Sequence, residues 1–294
     1  MERILFGDNQ FFGINHFSEE KARQQAMRFQ NIDAIIDVLQ SALGAGVGGF
    51  MCTTHDTIEK IADDVRSRPD EWVGFRFYPG MPYAHKYANA ITEYGYIDAL
   101  RRFLPQGGIG DTLLRGGKAL LSKDVEGMMT LLVDAEMQMF RGLETPVIFL
   151  QNVVTDLLLG LGIVDAYRVF SDYVRDRFNA EAGFITMNLP KLLPVLDAAG
   201  IKNPIVCANV NKIAFRMSGG IDEYRASSAR FSPRVIAMSV LASGGIRPRE
   251  AIEWVVNESY VESILFGASS RSNIDNTESL IHEFDQKIGR RAAG

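Results

Sequence analysis

The sequence predicts an α/β protein of the (β/α)8 class, a TIM barrel, with an extended insertion after its third strand. Three observations predict it. Eight short apolar β-runs alternate with helical patterns along 294 residues, and such alternation argues for parallel strands joined by helices. Strand after strand ends in small or polar residues, as the ligand-binding mouth of a barrel requires. The length suits one closed ring of eight units better than an open sheet, so the chain is read as a single domain, 1–294, with residues 83–122 as an insertion or lid within it.

Ile4-Leu5-Phe6 is the first run, ending at Gly7-Asp8-Asn9-Gln10 and followed by a helical pattern from about Ser18 to Leu43. Phe50-Met51-Cys52 is the second, ending at Thr53-Thr54-His55-Asp56 before an amphipathic stretch with Ile58, Ile61 and Val65. Trp72 to Tyr78 alternates as a strand and is expected to stop at Pro79-Gly80; a helix from about Ala84 to Leu104 and a glycine-rich stretch, Pro105 to Gly117, then follow. A structureless stretch of that length suggests a lid. Val147 to Leu150 is the fourth run, followed by a helix from about Ile163 to Phe178, and Gly183 to Ile185 is the fifth. The helix Leu189 to Ala199 closes at Gly200 as a C-cap. Ile205 to Ala208, Arg234 to Ser239 and Ser263 to Phe266 complete the eight.

Composition narrows the function classes. At 47% hydrophobic and 23% charged residues the chain has enough apolar material for a large core. Its net charge of −5 gives no general attraction to nucleic acid or to an anionic membrane, so small molecules are the expected partners, with a homo-oligomer left open. The two cysteines, Cys52 and Cys207, sit far apart inside β-runs, which suggests no disulfide framework and makes a reducing cytoplasm the simpler compartment. The start has no signal-peptide layout, and apolar stretches such as Leu157 to Leu161 fall well short of the ~20 residues a membrane span needs.

The second half resembles the aldo-keto reductase family. Phe184-Ile185-Thr186-Met187-Asn188 and Pro204 to Asn209 are similar to that family's fifth and sixth strands, whose polar ends meet a nicotinamide, with Asn188 matching an Asn of the family. Met238 to Ile246 resembles its seventh strand and loop, and Phe266 to Arg271 with Asn276 its nucleotide-phosphate segment; the opening Phe6 to Gly13 is also similar to its first strand. The resemblance implies a barrel and NADP. The first half departs from it where the family places Asp, Tyr, Lys and His at the ends of strands two to four. Cys52-Thr53 stands at the Asp position, no Tyr lies between Cys52 and Trp72, Phe77-Tyr78 ends the third run where Lys belongs, and Gln151 replaces His.

The candidate site residues follow from strand ends. His16, His55 and His85 come just after the first three runs, where imidazole beside Asp8 or Asp56 suits general acid-base chemistry. Arg76 and Tyr78 share one face of a strand, and a buried Arg there needs either a protein carboxylate or an anionic substrate. Lys212 follows the sixth run, as a Schiff-base lysine or as a plain loop residue. Asn9, Gln10, Gln151, Asn152, Asn188, Asn209 and Asn211 offer uncharged groups to orient a substrate. Gly267, Ala268, Ser269, Ser270 and Arg271 precede a helix, whose free N–H groups and dipole suit a phosphate. The Met-rich helix with Met128, Met129, Met137 and Met139 reads as core packing. No metal is expected, since no compact H-x-x-x-H or C-x-x-C spacing occurs.

Together these give an enzyme acting on a small phosphorylated or otherwise anionic substrate by proton transfer, as a lyase or isomerase. The alternatives are an NAD(P)H-dependent aldo-keto reductase-like oxidoreductase with an altered site, and a non-catalytic ligand-binding barrel.

Overall fold

The structure, a computed structural model, describes residues 1–13, 19–83 and 125–289. Eight parallel strands close into a barrel in sequence order: β1 (Ile4–Gly7), β2 (Gly49–Thr53), β3 (Arg76–Met81), β4 (Val147–Leu150), β5 (Glu181–Thr186), β6 (Ile205–Asn209), β7 (Arg234–Met238) and β8 (Val261–Phe266). β1 pairs with β8 to complete the ring. Strands covered on both faces read as continuous apolar runs, and all four residues of β4 are buried. Inward-facing side chains, among them Leu5, Met51, Tyr78, Phe149, Cys207 and Ile236, fill the barrel itself. A larger apolar layer lies between the strands and the surrounding helices.

The helices among the described residues are α1 (Glu19–Arg28), α2 (Ile32–Gly44), α3 (Asp56–Ser67), α4 (Val125–Met137), α5 (Asn152–Leu161), α6 (Asp165–Phe178), α7 (Leu189–Ala198), α8 (Gly220–Phe231), α9 (Pro248–Val256) and α10 (Arg271–Lys287). The single helix expected from Ser18 to Leu43 is two, because Asn31 takes extended geometry and its side chain accepts from the Asp33 N–H, starting a new helix. α5 was not anticipated. It begins directly at Asn152, and its outward residues Val153, Leu157 and Leu161 are apolar and exposed, which hides the usual polar stripe. No helix is long and apolar enough to cross a membrane among the described residues.

β3 differs most from expectation. Trp72 lies in the turn before the strand, its Nε1 donating to Asp64, and the strand runs on through Pro79 and Gly80 to Met81. The Arg76 N–H points to Gly48 on the β2 side and the Phe77 N–H to Glu144 on the β4 side. Pro79 shares the parity of Phe77, so its missing N–H falls on the β4 side, where pairing begins only at Gly80. A proline is therefore tolerated inside this strand. The candidate helix 84–104 and the lid 105–117 lie outside the described residues, as does all of the insertion 83–122 except Tyr83.

The N-terminal end of the barrel is closed by ion pairs. Arg3 forks onto Asp285, and Arg234 reaches both Glu181 and Glu262. Arg76 pairs with Glu2 at 2.9 Å and Glu144 at 2.8 Å, and the Tyr78 hydroxyl donates to Glu2. This corrects the assignment of Arg76 and Tyr78 to the catalytic site. Tyr78 does point into the barrel, but both residues sit at the N-terminal end of the strands, opposite the mouth, and their partners are protein carboxylates.

Candidate active site

At the C-terminal ends of β1, β2 and β3 the chain gathers acid, imidazole and phenol groups. Asp8 follows β1 and is buried; its Oδ2 accepts from the Thr53 N–H at 2.7 Å and the Thr53 hydroxyl at 2.9 Å. Burial raises its pKa, and the Thr53 hydrogen bonds oppose that shift. His55 is the N-cap of α3, with Nδ1 accepting from the Thr57 N–H at 3.0 Å. In the neutral ring that bond leaves the proton on Nε2. The ring packs on Phe12, centroids 4.6 Å apart, and meets the Tyr83 ring edge-on at 5.7 Å. Tyr83 comes two residues after β3, and burial, then the Asp8 charge, push its phenol upward so that it stays protonated at neutral pH.

A buried carboxylate supports this corner. Glu136, on α4, accepts from the Thr54 hydroxyl at 2.5 Å and from the Tyr83 N–H at 3.1 Å, tying the end of β2 to the chain leaving β3. Neither Glu136 nor Tyr83 was singled out from sequence. Glu136 lies among methionines in a helix that reads as core, and Tyr83 reaches the corner only because β3 extends past Pro79. Cys52 faces the same region; burial and then Asp8 push its thiol well up, so it remains a neutral thiol.

Across the mouth, at the ends of β5 and β6, the amides divide into one without a hydrogen-bond partner among the described residues and two spent within the protein. Asn188 precedes α7 without capping it, and its side chain makes no hydrogen bond among the described residues. Asn209 donates to the Met187 sulfur and the Arg216 carbonyl, while Asn211 both donates to and accepts from the Phe215 backbone. Those two shape a loop. Lys212 is 45% exposed and paired with Glu250 at 2.7 Å on the outer flank, a loop lysine with a carboxylate partner. Gln151 and Asn152 open α5, the Gln151 N–H bonding Met81 and joining β3 to β4.

Between these sides, at β8, Gly267 lies against Gln10. A Cβ on Gly267 would fall 2.2 Å from the Gln10 Oε1, so a larger residue there would displace the Gln10 amide. Gln10 is buried and donates to the Gly7 carbonyl, which fixes its amide; Asn9 beside it is exposed. Ser270 is the N-cap of α10 without a side-chain bond to a helix N–H, its hydroxyl instead bonding that of Ser272 at 3.3 Å. Ala268 is buried, Ser269 is partly exposed, and Arg271 is 64% exposed beside Asp275. His16 and His85 lie outside the described residues. Among those residues no group of three or more His, Cys, Asp or Glu is placed to hold a metal ion.

The barrel is similar in fold to solved aldo-keto reductases. A Pseudomonas aeruginosa protein described provisionally as an aldo-keto reductase superposes with a TM-score of 0.59 over 96% of this chain and 90% of its own, at 11% identity. An aldo/keto reductase from Brucella melitensis gives 0.54 over 98% and 95% at 9% identity. The glycerol dehydrogenase of Gluconobacter oxydans gives 0.53 over 99% and 94% at 9% identity. No family model matches the chain, and no curated protein matches it in sequence. The neighbours are oxidoreductases, and this corrects the expectation of a lyase or isomerase. At such identities the likeness carries the fold, while the chemistry has to be argued from the mouth itself.

Proposed function

We propose that this protein is an NAD(P)H-dependent oxidoreductase that reduces a small carbonyl substrate with a proton donor placed differently from that of the aldo-keto reductases. The observation that carries the reading is the convergence of Asp8, His55 and Tyr83 at the ends of β1 to β3. In a ring of eight strands that corner lies across the mouth from β5 and β6, where Asn188 offers an uncommitted carboxamide.

The residues present fit a dinucleotide at two points. Asn188 would meet the nicotinamide amide, and Ser269, Ser270 and Arg271 with the α10 N-terminus would hold phosphate. Asn209 fits less well, because its amide is spent within the protein. When bound, the reduced nicotinamide supplies hydride.

The chain supplies the proton and its placement. His55 holds hydrogen on Nε2 because Nδ1 is occupied by the Thr57 N–H, so Nε2–H donates to the oxygen of the carbonyl being reduced. Phe12 and Tyr83 wall the imidazole and fix its plane. As the carbonyl carbon receives hydride the Nε2 proton passes to the oxygen, and solvent then returns one proton to Nε2, restoring the neutral ring with Nδ1 still held by the Thr57 N–H. In this arrangement His55, after β2, stands in for the family's Tyr, and Tyr83, after β3, lies where the family has its Lys. The experiment is NADPH oxidation by the wild-type protein against a panel of neutral and acidic aldehydes and ketones, with NADPH affinity measured separately by fluorescence. Turnover that falls at least about 100-fold in His55→Asn with NADPH affinity unchanged supports the assignment, since general acid catalysis contributes about that much.

A further inference from the structure

The loop after β6 carries a cation that the proposed chemistry does not use. A pocket of about 420 Å³ opens at the ends of β5 and β6, lined by Met187, Ala214, Arg216, Met217 and Ser218. Its position on the mouth follows from Met187, which comes directly after β5, and from Asn209, which ends β6 and bonds to the loop. Arg216 is exposed at this pocket, and its guanidinium lies over the Phe215 ring, 5.3 Å from the centroid. No carboxylate pairs with it among the described residues, whereas Lys212 on the same loop is paired with Glu250 and Arg225 on the following helix with Glu258.

The backbone that presents Arg216 is held in place at some cost. Ala214 and Arg216 both take left-handed conformations, with φ of +55° and +56°. Two buried side-chain amides keep them there, Asn211 by clamping both backbone groups of Phe215 and Asn209 by bonding the Arg216 carbonyl. The Met217 N–H closes the turn onto the Ala214 carbonyl. A guanidinium backed by an aromatic face, without an acidic partner and fixed beside a pocket, matches the planar forked geometry of a carboxylate or phosphate.

We propose that Arg216 is the oxyanion anchor of the mouth, receiving a carboxylate or phosphate group of the molecule that enters this pocket. This rests on the oxidoreductase reading only for the identity of that molecule, which is either an acidic carbonyl substrate or the dinucleotide. The binding chemistry is the same for both. Arg216 then sets specificity: with the first source the enzyme selects keto or aldehyde acids over neutral carbonyls, and with the second it selects the cofactor's phosphate groups.

The test is titration of the full chain by calorimetry with malonate, inorganic phosphate and NADPH, on wild type, Arg216→Gln and Arg216→Asn, the latter chosen because Asn tolerates the left-handed backbone. Arg230→Gln, an exposed arginine on α8 remote from the mouth, controls for a change in net charge. Loss of at least tenfold in malonate or phosphate affinity in both Arg216 variants, with Arg230→Gln unchanged, assigns the anchor to the substrate. A loss confined to NADPH assigns it to the dinucleotide. If wild type fails to bind NADPH but binds malonate through Arg216, the oxidoreductase reading falls and the anchor stands. Unchanged affinities in both variants, or no binding of any probe by wild type, overturn the proposal.

Discussion

Replacing Thr54 by Val tests how the proposed catalytic corner is held. Thr54 is fully buried, and its hydroxyl donates to the Glu136 carboxylate at 2.5 Å, which in turn receives the Tyr83 N–H. Valine keeps the shape and removes the donor, leaving a carboxylate that is 2% exposed with one hydrogen bond fewer. A hydrogen bond to a buried charged group contributes about 1.5–3 kcal/mol, and a larger share is lost when the charge is left behind. For a chain of this size that corresponds to a fall in Tm of about 2–5 °C. Thermal denaturation followed by circular dichroism measures it, with Thr54→Ser as the control that keeps the hydroxyl. The same change should loosen Tyr83 and lower kcat while NADPH affinity, which the proposed function assigns to β5 and β8, stays as in wild type. A Thr54→Val protein whose Tm lies within about 1 °C of wild type would refute the reasoning, since a buried carboxylate cannot lose a donor without cost.

Other outcomes follow from the same geometry. Because burial raises the Asp8 pKa above its unfolded value of about 3.9, the native state keeps a proton that the unfolded chain has released. Stability contributed by Asp8 is present below that pH and is lost as pH rises through the native pKa, so Asp8→Asn should gain on wild type from about pH 4 upward in urea midpoints; parallel pH profiles would exclude it. His55→Ala should lose about 1 kcal/mol through the α3 cap, whereas His55→Asn, which can cap, should keep the stability and lose the activity. Arg76→Gln should cost no more than about 1 kcal/mol, the guanidinium being 43% exposed, and should leave NADPH binding unchanged, because Arg76 closes the opposite end of the barrel.

The barrel was legible because its strands are short, apolar and bounded by turns, and because Gly200, with its positive φ, ends α7 where the sequence places a cap. The places of Asp8 and His55 at the strand ends were legible for the same reason, as polar residues shortly after apolar runs. What escaped the sequence depended on long-range geometry. The extension of β3 through Pro79 turns on which neighbour lacks a pairing partner, and that decides where Tyr83 falls. Arg76 and Tyr78 were placed on the correct face but at the wrong end, since strand parity fixes the side and says nothing of height along the barrel. Arg216 gave no signal at all; it matters only through the loop that Asn209 and Asn211 fold, and both amides read equally well as ligand groups until their hydrogen bonds are seen.

The central claim is that hydride chemistry takes place at this mouth with His55 as the proton donor. The direct measurement is single-turnover NADPH oxidation with carbonyl acids, following nicotinamide absorbance and quantifying the alcohol formed, in wild type and His55→Asn. The account predicts one alcohol per NADPH consumed in wild type, and at least about 100-fold slower oxidation in the variant at equal NADPH occupancy. Wild-type protein that neither binds NADPH nor oxidises it with any carbonyl tested, or a His55→Asn variant as fast as wild type, would contradict it.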